Sequence, residues 1–131
     1  QGKYQEAMSN LNYGYDNLKK HSCQTSSWDS WYFTYMSKVY RGLKDSQNQL
    51  FYSKKALLAE QTRIPCDHEK LAIAYNDLAV AYRESSLFLQ AEEYHKKQLD
   101  EKSSFFLIIF MTKLYYFVLL HIKVTMLNLI F

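Results

Sequence analysis

Proline and glycine are scarce in this chain, with one Pro and three Gly in 131 residues. Strand-and-turn architectures need both at their corners, so the scarcity favours long helices. Cysteine is nearly absent too. Two residues, Cys23 and Cys66, make no disulfide framework, and the default compartment is the reducing interior of the cell. No Gly-rich phosphate loop, no G-x-S-x-G and no H-E-x-x-H occurs, so the usual marks of enzymatic chemistry are missing. The net charge of +3 is too small to imply a nucleic-acid partner. No secretory leader is visible. Gln1 opens directly onto a helical pattern, as expected of a fragment of a longer protein. What the chain does have is apolar and aromatic content, 48% and 17%. That argues against disorder and suffices for one domain or three to four short helical repeats.

Residues 71–102 carry the clearest pattern, two helices and a tight turn. The first helix presents Tyr75, Leu78, Ala79 and Tyr82, and the second Phe88, Ala91, His95 and Leu99. Large and small residues alternate at helical spacing, as close helix crossing requires. Stepping back by 42 residues finds a second copy. Tyr40 matches Tyr82, Arg41 matches Arg83, Met36 matches Leu78, Tyr52 matches Tyr94, and Leu57 matches Leu99. Ala91, Gln49 and Ala7 take one place in three successive copies, with Gln49 the poorest match.

The order Tyr75-x2-Leu78-Ala79-x2-Tyr82, then Ala91-x3-His95, resembles the tetratricopeptide signature W-x2-L-G-x2-Y…A-x3-F. Tyr75 stands for the Trp, Ala79 for the Gly and His95 for the Phe. The 42-residue step resembles the longer repeats of kinesin light chains and related arrays, in which Asn-Asp often precedes Leu-Ala, as Asn76 and Asp77 do here. The resemblance covers residues 1–102 and implies an all-α fold, an antiparallel helix-hairpin array cut from an α-solenoid. The expected units are residues 1–20, a partial repeat, then residues 26–62 and residues 69–102.

In residues 2–20, Tyr4, Ala7, Met8, Leu11, Tyr15 and Leu18 recur at three- and four-residue steps, and Gly14 is placed to admit a neighbouring helix. Ser26 or Ser27 is positioned to cap a helix over residues 28–42 that is apolar on more than one face. Asp45 and Ser46 lead into the next helix, which carries Leu50, Phe51, Lys54, Leu57 and Leu58 and continues to about Gln61. Pro65 marks the connection between repeats, and Asp67 caps the helix beyond it. The last helix is expected to end near Lys102. His21-x-Cys23 and Cys66-x-His68 sit in expected loops without zinc-finger spacing and read as ordinary loop residues, so no metal or cofactor is expected.

At Ser103 the composition changes. Residues 105–131 contain no Asp, Glu, Gly, Pro or Ala, and Lys113, His121 and Lys123 interrupt an apolar run. Three readings compete: a transmembrane anchor, against which Lys113 counts; a helix packed as a cap across the last repeat; or a tail from a misread gene boundary. The bias toward Phe, Ile, Leu, Lys, Tyr and Asn favours the last.

The acids Glu92, Glu93, Asp100 and Glu101 lie among lysines and read as a solvated helix face. Lys54-Lys55 and Lys96-Lys97 read as surface charge. His95 holds a packing position. The functional candidate is the inner face that the tetratricopeptide resemblance implies. It would be lined by Trp31, Thr34, Tyr35, Lys38 and Arg41 from one repeat, and by Ile73, Asn76, Asp77, Val80, Arg83 and Glu84 from the next. There Asn76 would fix a peptide backbone, Arg41 and Arg83 would hold a carboxylate at two points, and Trp31 and Tyr35 would anchor. The expected role is a cytoplasmic, non-catalytic scaffold for a protein or peptide, with a membrane-anchored form as the alternative.

Overall fold

The computed structural model describes residues 1–21 and 26–130, with only the backbone described at residues 26 and 27. Cys23 and the side chains of Ser26 and Ser27, one of which was expected to cap the second helix, lie outside this description. The fold is all-α, with five helices and no strand among the described residues: α1 Gly2–His21, α2 Ser26–Gly42, α3 Ser46–Gln61, α4 His68–Glu84 and α5 Phe88–Ile130.

Consecutive helices pack antiparallel. In the α2–α3 pair, Ser30 near the start of α2 bonds Glu60 near the end of α3. Two turns later, Ser37 bonds Ser53, nearer the start of α3, at 2.6 Å. The α4–α5 pair repeats this sense, since His68 bonds Glu101 at 3.0 Å and Tyr82 stacks on Tyr94. Between α2 and α4 the order is parallel. Arg41 pairs with Glu84 at one end, and Trp31 faces Ile73 toward the other.

The two hairpin turns are built alike. Leu43, Lys44 and Asp45 donate backbone bonds to Val39, Arg41 and Tyr40, and Ser85, Ser86 and Leu87 do so to Ala81, Arg83 and Tyr82. This is a Schellman ending, in which the residue past the helix turns left-handed to satisfy the last carbonyls. That residue is Lys44 at φ 60° and Ser86 at φ 61°. Asp45 then caps α3 through the Asn48 amide, and Asp67 caps α4 through the Lys70 amide, both at 3.1 Å.

The core lies where α3, α4 and α5 meet. Leu57, Leu71, Ala74, Leu78, Tyr82 and Ala91 are buried together, and Leu50, Tyr75 and Tyr94 pack against them. Four alanines on α4, Ala72, Ala74, Ala79 and Ala81, are buried as well, which lets neighbouring helices approach on several sides.

Several expectations need correction. The last helix does not stop near Lys102. It runs on unbroken to Ile130, because Ser103 and Ser104 are weak breakers and no Gly or Pro occurs beyond them. Nor does the apolar tail pack as a cap, since residues 110–130 are exposed throughout. His21 and His68 lie in helices, closing α1 and opening α4.

Phe88 and Leu99 were placed on the packing face of α5, yet both are exposed. Leu57, the counterpart of Leu99, is 6% exposed because α4 covers it, whereas Leu99 is 61% exposed because no helix among the described residues covers its flank. Gly14 admits no close neighbour, as a Cβ there would meet nothing within 4 Å. The close approach is at Gly42, where the Tyr4 ring occupies the space a Cβ would need.

Candidate functional site

The parallel course of α2 and α4 leaves a groove of about 360 Å³ between them. That is at the small end of ligand pockets and suits one or two side chains. One wall is the α2 face of Trp28, Trp31, Thr34, Tyr35 and Lys38. The other is Lys70, Ile73 and Ala74 of α4. Trp28, Trp31, Tyr35 and Ile73 keep between 42% and 49% of their surface exposed. The first three crowd α2 because its sequence is aromatic on more than one face. The face toward α1 holds Tyr32, stacked on Tyr15 with ring centroids 4.0 Å apart, and the remainder opens into the groove.

Within the groove Trp31 and Tyr35 lie one turn apart, ring centroids 4.9 Å apart and tilted by 50°, and the Lys38 ammonium sits 5.2 Å from the Tyr35 ring. The floor is polar. Glu60 is buried, accepts a hydrogen bond from Ser30 and pairs with Arg63 at 3.2 Å. Its charge is taken up inside the protein, which leaves the aromatic wall as the part of the groove turned outward. Lys70 on the rim reaches Asp67 at 3.4 Å.

The inner-face residues of the second repeat are placed differently. Ile73 lines the groove. Asp77 lies further along, within the field of Lys38 and Arg41. Burial pushes its carboxyl above the usual aspartate value, while Lys38, the Asn76 side chain and Arg41 pull the other way. Asn76 is therefore engaged with the neighbouring acid, half-buried. Val80 is half-buried and Arg83 exposed.

Arg41 does not stand ready to share a carboxylate with Arg83. Its Nε is held by Glu84 at 2.8 Å, at the mouth of a second depression lined by Lys44, Ser46 and Gln49. Trp28, Lys70, Glu60 and Arg63 were not among the expected site residues. The one available signal was the i, i+3 spacing of Glu60 and Arg63 at a helix end.

Sites with other chemistry can be placed as well. His68 Nδ1 meets Glu101, and Cys66 Sγ lies 4.0 Å from the same nitrogen. His95 is half-buried on the packing side of α5. Lys55 lies over Phe51 and Phe33, and Lys97 over Tyr94, so these lysines cover aromatic surface as well as carrying charge.

Comparison with protein-family models, with curated proteins and with solved structures returns no match to this chain.

Proposed function

We propose that this chain is a non-catalytic, tetratricopeptide-like scaffold module that binds a protein or an extended peptide in the cytoplasm, with the α2–α4 groove as its binding surface. The observation that carries this reading is the exposed row Trp28, Trp31 and Tyr35 facing Ile73 across a groove of side-chain size. Rigid aromatics presented this way are the usual anchors of protein interfaces. Selection of peptides from a random display library on the intact chain tests it. Trp31→Ala with Tyr35→Ala is expected to weaken a selected peptide by about thirtyfold, the scale of a truncated anchor. Asn76→Ala with Arg83→Ala reports whether the footprint extends along α4. Equal capture by parent and Trp31→Ala/Tyr35→Ala removes the groove reading.

A second reading has its own support: the module is held to a membrane by the distal half of α5. Residues 105–130 are apolar on every side and almost wholly exposed, and a helix of that kind needs apolar surroundings all round. Their length is roughly 39 Å, more than the 30 Å of a hydrocarbon core. Lys113 costs about 2.5–3.5 kcal/mol at mid-span. The dozen Leu, Ile, Phe and Val side chains between Phe105 and Ile122 contribute about −4 to −7 kcal/mol on the same scale and outweigh it. Resistance of a tagged chain to carbonate extraction tests this reading, and release into the wash counts against it. Sequencing the transcript across codons 102–105 tests that array and anchor share one reading frame; a mature transcript that continues into a different sequence after codon 102 removes the anchor.

A further inference from the structure

We propose that the end of the helical bundle formed by the α3–α4 connection and the start of α2 rests on the bilayer that α5 enters, with Ile64 dipping into the lipid interface. This rests on the membrane reading above and adds a second contact to it.

Two bonded residues fix a common level along the α5 axis. His68, the first residue of α4, bonds Glu101 at 3.0 Å, so the start of α4 is held beside that point of α5. Phe105, where the apolar stretch begins, comes one turn later, about 6 Å further along the axis. The connection over residues 62–67 immediately precedes His68 and therefore lies at the level where the apolar stretch of α5 begins.

On that connection Ile64 is 95% exposed, and Pro65 and Cys66 beside it are exposed too. An isoleucine held almost entirely in water at a loop tip forgoes the burial that such a side chain gains anywhere apolar. Trp28 belongs to the same end, because it shares the groove with Lys70 of the first turns of α4. An indole at that height has the amphipathic character that favours the headgroup layer.

Charge does not select this end. Arg63, Lys70 and Lys102 are there, with Lys19 and Lys20 from the last turn of α1, but so are Asp29, Asp67, Glu69, Asp100 and Glu101. The contact required is apolar, with a lipid interface as its occupant, and it needs no anionic headgroup. Because α5 continues through residues 102–105 without a break, the bundle has no linker on which to stand away from the surface.

The native Cys66 provides the probe. With Cys23→Ser, the full chain carries one thiol, labelled with a nitrobenzoxadiazole dye and reconstituted into phosphatidylcholine vesicles. A nitroxide near the top of the acyl chain is expected to quench the Cys66 dye, with blue-shifted emission that high salt leaves unchanged. Ile64→Asp is expected to cut that quenching at least twofold. The same dye on Phe117→Cys, with Cys23 and Cys66 both changed to Ser and the nitroxide moved near the end of the acyl chain, reports the anchor separately, because residue 117 lies about 18 Å beyond Phe105. Quenching at position 117 with none at Cys66 overturns the end-on contact and leaves the anchor standing. No quenching at either position removes the anchor and the contact with it. Quenching at Cys66 that appears only with anionic lipid also overturns the proposal, because the attachment would then be electrostatic.

Discussion

Tyr82 and Tyr94 stack across the α4–α5 hairpin with ring centroids 5.3 Å apart and planes 16° from parallel. Forty-two residues upstream, Tyr40 and Tyr52 stack across α2–α3 at 5.4 Å and 12°. The two pairs bracket turns with the same backbone bonds and the same left-handed residue. Equivalent packing, equivalent turns and the parallel setting of α2 on α4 give the two hairpins one internal geometry.

The turns carry a removable cost. A non-glycine residue in the left-handed region loses roughly 1–2 kcal/mol to Cβ contacts, partly offset by the greater chain entropy that glycine must lose. Lys44→Gly and Ser86→Gly are each expected to stabilise the fold by about 0.5–1 kcal/mol, read as a raised urea midpoint at unchanged slope.

Glycines elsewhere separate by surroundings. Gly14 lies mid-helix with open space where a side chain would go, so Gly14→Ala is expected to add about 1 kcal/mol. Gly42→Ala does not share this gain, because the Tyr4 ring must be displaced. Thermal unfolding of the two variants side by side checks the contrast.

Between α2 and α3, Ser37 and Ser53 share a buried hydrogen bond of 2.6 Å, while Ala79 and His95 fill the same places in the next hairpin. Ser37→Ala alone strips a buried hydroxyl of its partner and is expected to cost about 1 kcal/mol. The double change to alanine should cost less than the sum of the two single ones. A double-mutant cycle by denaturant titration measures the difference.

Asp77 gives a pH signature. Its folded pKa lies above the unfolded value near 3.8 because burial penalises the charge. The folded state therefore holds the proton more tightly, and stability is lost as pH rises through the folded pKa. Asp77→Asn removes that loss. The variant is expected to exceed the parent in stability at pH 7 and to approach it at about pH 3, where the parent is mostly protonated in both states. Urea melts at the two pH values decide it.

The helices were legible because the chain has few residues able to interrupt them. The expected cap Asp67 also sits where its capping bond forms, whereas the cap by Asp45 was not foreseen. Burial was legible where it is set by local spacing, at Met36, Leu78 and Tyr82. It was not legible where a distant helix decides it. Leu57 and Leu99 occupy like positions, yet only Leu57 is covered, because α4 comes after it in the chain. The left-handed turns were hidden because Lys44 and Ser86 lack the glycine that normally marks them. Of the expected inner-face residues, Trp31, Tyr35 and Lys38 share the groove because they are one turn apart on a single helix. Arg41 and Glu84 spend their charges on each other through a contact that exists only once α2 and α4 are side by side. The burial of the polar floor depends in the same way on α2 meeting α3, where Ser30 reaches Glu60.

The 43-residue α5 has a consequence for phase. A continuous helix couples rotation to length, so each residue inserted between Lys102 and Phe105 swings everything upstream through about 100° around the axis. One or two added residues would point the groove and the Ile64 loop in new directions relative to whatever holds the distal half. Four would bring them to within about 40° of the original bearing. The compass bearing of the binding face is thus written into the residue count of a single uninterrupted helix.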